Sequence, residues 1–196
     1  MSSRLRVRAQ GLSGALCPRR PFSVLTALGT AAHHAFEVRA GVGLVFEPFI
    51  GRRAAVAMWS GALPAWALAA WLADGDERIE KGIALNNAAG LAGGIVHFVA
   101  WPWQLRGGIP YLIEAEGMTA EQLGPYNRVL HLWTLAGLLA VALETPPHAR
   151  KWTLLGLALG EPLRRSAVHH FRWARQQAQR EPERWSPVLR ERPRRC

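Results

Sequence analysis

Long apolar stretches alternate with short polar runs in this chain, and the apolar stretches reach the roughly twenty residues that a bilayer core demands of a helix. Residues 54–73 carry no charge and include Trp59, Trp66 and Trp71. Pro64 predicts a kink there, which neighbouring helices accommodate within a membrane. After a polar loop at 74–82, residues 83–103 form the next span, with Asn86, Gly90, Gly93 and His97 on one face. Gly90 and Gly94 make a GxxxG pair, a pattern that lets helices approach closely. Residues 104–124 read as a loop containing Glu114, Glu116 and Glu121. A further span follows, with Gly124 as cap and Pro125 in the first turn, and runs to Glu144, where Thr145-Pro146-Pro147 stops it. Asn127, His131 and Thr134 share one face of this helix.

The remaining span, residues 23–51, is the unusual one, because it holds His33, Glu37 and Glu47. On a continuous helix, positions 33, 37, 40, 44 and 47 form one stripe, so the three ionisable residues share a face with Ala40 and Leu44. A charge facing lipid costs several kcal/mol, so this face is expected to point into the bundle. His34, three positions before Glu37, can face the same interior. Arg39 lies off the stripe and calls for a partner, for which Glu114 and Glu116 are the candidates.

Residues 152–160 are apolar over too short a length to span. Beyond Pro162, apolar residues recur at Leu163, Ala167, Phe171, Ala174 and Ala178, with Arg164, Arg165, Arg172 and Arg175 off that stripe. This is the signature of a basic amphipathic helix lying in a membrane surface, with a fifth span as the competing reading. Residues 181–196, rich in Pro and Arg, are expected to be disordered.

The expected fold is therefore all-α: a polytopic membrane helix bundle of four transmembrane helices plus a basic amphipathic C-terminal helix. Its divisions are a basic tail at 1–22, a transmembrane domain at 23–145, an interfacial segment at 146–180 and a disordered basic tail at 181–196.

Charge sharpens this picture. The net charge of +10 sits in the flanks: residues 1–22 carry five Arg and no acid, and residues 146–196 carry twelve Lys plus Arg against four Glu. That places both ends in the cytoplasm of a multi-pass cell-membrane protein by the positive-inside rule. No recognition motif accompanies the arginines, so nucleic acid is not an expected partner. The expected partners are membrane lipid, a hydrophobic small molecule, and a membrane protein or second copy. Cys17 and Cys196 have no metal or disulfide spacing, and Gly41-Val42-Gly43 lacks the strand, third glycine and distal acid of a dinucleotide fingerprint.

Depth points to a site. At about 1.5 Å rise per residue, Glu37 lies roughly 3 Å, and His97 and His131 each roughly 6 Å, to the outer side of the middle of their spans. Glu47, Glu114, Glu116, Tyr126 and Asn127 stand above them. Glu37, His97 and His131 are thus the catalytic candidates, with Glu37 as acid or base and the histidines exchanging its proton. His33, His34, Glu47, Asn86, Asn127, Trp133, Glu114 and Glu116 are the ligand-binding candidates. The substrate expected is lipid- or isoprenoid-like, and no cofactor is expected. The spacing carries no metal signature, although histidines beside Glu37 could ligate a metal, and two on different helices could hold haem. The rival reading is a non-catalytic scaffold whose buried His, Asn and Glu are helix-packing bonds.

Overall fold

The computed structural model describes residues 17–73 and 75–191. The fold is mostly helical, with one small two-stranded sheet. Three helices are long and apolar enough to cross a membrane: α3 (Arg52–Leu72), α4 (Glu77–Ala100) and α5 (Ala120–Glu144).

The first apolar stretch departs from expectation. Helix α1 (Pro21–Arg39) starts with a proline in its first turn and stops at Arg39, because Gly41 (φ +75°) and Gly43 (φ +85°) turn the chain in the left-handed region. The turn is also a close approach: a Cβ on Gly41 would lie 2.6 Å from the Ser186 amide nitrogen. Glu47 opens a separate short helix, α2 (Glu47–Ile50), so the stripe from 33 to 47 is broken. Arg39 is exposed at the helix end, and its candidate partner Glu116 pairs with Arg175 instead.

The two following helices start earlier than the polar pattern suggests. Asp76 accepts bonds from the amides of Arg78 (2.8 Å) and Ile79 (3.2 Å) and caps α4. Thr119 and Gln122 form a capping box that opens α5 at Ala120, ahead of Gly124 and Pro125. The loop between them is not irregular either. β1 (Trp103–Arg106) and β2 (Ile109–Leu112) pair antiparallel around Gly107-Gly108.

At the opposite end of the bundle from this hairpin, Glu144 closes α5 onto the start of α1. Its carboxylate accepts from the Phe22 and Ser23 amides, each at 2.8 Å, where the orphan donors and positive end of α1 favour an anion. Arg20 ties the same end together by bonding Glu80 and the Glu144 carbonyl oxygen, and His148 meets Glu80 at 2.9 Å.

The C-terminal part corrects the sequence reading most. Helices α6 (Arg150–Ala158) and α7 (Gly160–Arg180) run beside α4 in the same direction. Gly156 sits against Leu85, Ala88 and Ala89, and Gly160 against Ala92. Farther along, Phe171 meets Trp101 with ring centroids 5.6 Å apart. The apolar stripe of α7 packs on protein: Leu163 and Ala167 face a cavity, while Phe171, Ala174 and Ala178 join Val42, Leu112, Met118, Trp185 and Leu189 in the main core. A helix with one face on protein needs no twenty-residue apolar run, so the short apolar stretch at 152–160 still belongs to the bundle. The stripe is therefore not free to bury in a membrane surface.

Residues 181–191, expected to be disordered, are packed. Trp185 and Leu189 are buried, the Ser186 amide donates to the Gly41 carbonyl at 2.9 Å, and α8 (Val188–Glu191) follows. The expected tails at 1–16 and 192–196 lie outside the described residues. Arg20, beside Glu80, and the 185–191 segment, whose Leu189 packs at Gly117, thus lie at opposite ends of the bundle. Reporter fusions after Lys81 and after Arg180 should accordingly report opposite sides of the membrane; the same side for both would contradict this packing of α6 and α7.

Candidate functional site

A cavity of about 250 Å³ lies among α1, α3, α4, α5 and α7. Its walls are largely aromatic, with Trp59 and Trp66 from α3, Trp101 beyond the end of α4, Trp133 from α5 and Phe171 from α7. No Lys or Arg lines it among the described residues.

Its polar end is built on one turn of α1. The spacing 33, 34, 37 puts His33, His34 and Glu37 on adjoining positions of one helical face, and all three are buried. His33 Nε2 lies 3.3 Å and His34 Nδ1 3.8 Å from Glu37 Oε2. From behind, the fully buried Tyr126 donates its hydroxyl to Glu37 Oε1 at 3.2 Å. Among the described residues, the ion-pair partners of Glu37 are those two histidines.

His97 joins from α4. Its ring meets His33 edge-on with centroids 4.7 Å apart, and Trp133 stacks on the other side of His33 at 4.8 Å. His97 Nδ1 lies 2.7 Å from the Gly93 carbonyl oxygen. A carbonyl only accepts, so Nδ1 carries the proton and Nε2 of the neutral ring holds a lone pair. Small residues permit this approach: a Cβ on Gly90 would sit 3.0 Å from Thr26 and 3.2 Å from Trp66, and one on Gly93 3.0 Å from Trp133.

Several buried nitrogens around the cavity have no bonding partner: His33 Nδ1, His34 Nε2, His170 Nδ1 and the indole nitrogens of Trp59, Trp66 and Trp133. Buried polar atoms are normally bonded, so a cluster of orphans around one cavity marks where a ligand or water would bond.

The sequence candidates divide clearly. Glu37, His97, His33, His34, Asn86 and Trp133 all line the cavity. His131 does not: its Nε2 lies 2.6 Å from the Pro110 carbonyl oxygen and its ring stacks on Phe98, so it holds the hairpin. Asn127 has the same job, accepting from the Leu112 amide at 2.8 Å and donating to the carbonyls of Leu112 and Leu123. Glu47 accepts from the Leu44 amide at 3.1 Å and stands 3.7 Å from Arg184, bracing the turn after α1. Glu114 and Glu116 also lie away from the cavity lining.

Sequence reasoning missed the role of Tyr126 as hydrogen-bond donor to Glu37, and it missed His170, whose Nε2 lies 3.0 Å from the Val42 carbonyl oxygen. His170 falls on a helix read as facing the membrane surface, so nothing flagged it.

Ligating atoms of His33, Glu37 and His97 all lie within 4.8 Å of one another. Two imidazoles and a carboxylate are also the donor set of catalytic zinc and non-haem iron centres. Haem between His33 and His97 does not fit, because their rings are in contact. Comparison with protein-family models, with curated proteins and with solved structures finds no match to this chain.

Proposed function

We propose that this chain is a membrane-embedded acid–base enzyme that moves a proton within an apolar, lipid- or isoprenoid-like molecule. The observation that supports it is the cluster of buried Glu37, His33 and His34 with half-buried His97 at one end of an aromatic cavity with no Lys or Arg in its walls among the described residues. Such walls favour an uncharged apolar ligand, and a lone carboxylate among imidazoles supplies a base and its proton acceptors.

In this reading Glu37 Oε2 takes a proton from a carbon of the substrate, while the Tyr126 hydroxyl steadies Oε1. The proton passes to a histidine and exchanges with water, and a proton is then delivered to a different carbon, so a double bond migrates and no other reactant is consumed. Access is lateral, beside α3, whose only buried residues are Ala55, Leu63, Trp66 and Ala70. Helix α1 is the fourth membrane-embedded helix of the reading, because its polar face is enclosed by α3, α4 and α5; α6 and α7 complete the bundle.

The test is an untargeted comparison of lipid extracts from cells with and without the chain. One neutral lipid should be depleted and an isomer of the same mass should accumulate; identical extracts would overturn the proposal. The His33–Glu37–His97 geometry favours a second reading, a divalent metal centre. Conversion that persists in purified protein after exhaustive chelation supports the acid–base reading, and conversion restored only by added zinc or iron supports the metal.

A further inference from the structure

The far end of the cavity carries its own polar chemistry. Asn86 and His97 both line the cavity and are both on α4. Eleven residues separate them along the helix, which is about 16 Å at 1.5 Å per residue. Asn86 is exposed, so it stands at a mouth within the apolar part of α4. Among the described residues its side-chain amide makes no hydrogen bond, and an unsatisfied amide facing hydrocarbon is costly. One turn along α4, Gly90 packs under Trp66. Trp66 is only 9% exposed and lines the same cavity, and its indole nitrogen is buried without a partner.

We infer that the ligand is an elongated neutral amphiphile, an alcohol or ketone, whose single polar oxygen is held by the Asn86 amide and the Trp66 N–H while its apolar body reaches Glu37. The donors at this end are uncharged, and no Lys or Arg lines any part of the cavity among the described residues. An ionised phosphate or carboxylate headgroup would therefore be buried without a counter-charge, at a cost of several kcal/mol. A hydroxyl or carbonyl satisfies both unpartnered groups. Asn86 and Trp66 then set the substrate's orientation and fix which carbon lies beside Glu37. The inference rests on the apolar-ligand reading of the cavity, and not on Glu37 being a base.

The test uses the full chain in lipid nanodiscs, titrated with dodecan-1-ol and with dodecane at equal mole fractions and followed by intrinsic tryptophan fluorescence. The alcohol should bind about five- to tenfold more tightly than the alkane, the worth of one or two net hydrogen bonds. Asn86→Leu, at an exposed position that leaves the fold intact, should lose most of that preference with alkane binding unchanged. Trp66→Phe, which keeps the ring and removes the N–H, should lose part of it. Glu37→Gln should keep it. Equal binding of the two probes by the wild-type chain overturns the inference alone, whereas binding of neither overturns the cavity reading with it. A preference that survives Asn86→Leu, or disappears in Glu37→Gln, places the polar oxygen at the wrong end and overturns the inference.

Discussion

Replacing Glu37 by Gln is expected to lower turnover of the lipid substrate by a factor of about 10² to 10⁴, the contribution of a positioned general base. Fold and ligand binding should be preserved. Gln keeps the length of the side chain and an oxygen to accept the Tyr126 hydroxyl, which now bonds Glu37 at 3.2 Å. What it removes is the only carboxylate in the cavity lining among the described residues. Product formation in membranes, with size-exclusion chromatography as the check on folding, measures both. If Glu37 served only to pack helices, the Gln variant would turn over as the wild type does.

The largest structural effect is expected at Gly156. A Cβ there would lie 2.4 Å from the Leu85 carbonyl oxygen and 2.7 Å from the Ala88 Cβ, and a backbone carbonyl cannot move aside as a flexible side-chain tip can. Gly156→Ala must push α6 off α4, at a cost of about 1–3 kcal/mol. Because α7 continues from α6 and supplies Leu163, Ala167, His170 and Phe171 to the cavity, ligand binding should weaken together with thermal stability. Gly61→Ala in α3 is the matched control. Nothing lies within 4 Å of a Cβ at that position, and exchanging Gly for Ala inside a helix stabilises by up to about 1 kcal/mol. Thermal unfolding of both purified variants decides the matter, and an unchanged Gly156→Ala would contradict the close α4–α6 contact.

Half of this site was legible in the residues. Glu37 and His33 follow from the four-residue spacing in an apolar stretch, and Asn86 and His97 from sharing a face of α4. Arithmetic of helix rise set Glu37 and His97 at similar depth. The same arithmetic misled at His131, because rise gives depth but not direction: His131 points at the hairpin carbonyl of Pro110. The hairpin itself was unreadable as structure, since its strands span only four residues each and all four β1 residues are exposed, which leaves no alternation of buried and exposed positions to read.

Glu47 was lost to a different cause. Its place on the α1 stripe required an unbroken helix, and two glycines of positive φ end that helix first. Helix α7 was misjudged because its apolar stripe has protein for a partner instead of lipid, and pattern alone does not say which. Fold class was easier. Residues 54–73, 83–103 and 124–144 carry their own evidence of helix and of membrane length, and α3, α4 and α5 cover them except at residue 73 and at 101–103, where α4 has ended and β1 begins at Trp103.

The central claim, that Glu37 and its histidines exchange a substrate proton with water-derived protons inside the cavity, is tested most directly by running the lipid conversion in deuterium oxide and locating the label. Carbon-bound deuterium at the new position of the isomerised product, present with the wild-type chain and absent with Glu37→Gln, is the predicted result. Isomer formed by the wild-type chain without solvent-derived deuterium, or labelled equally by the Glu37→Gln variant, would contradict it.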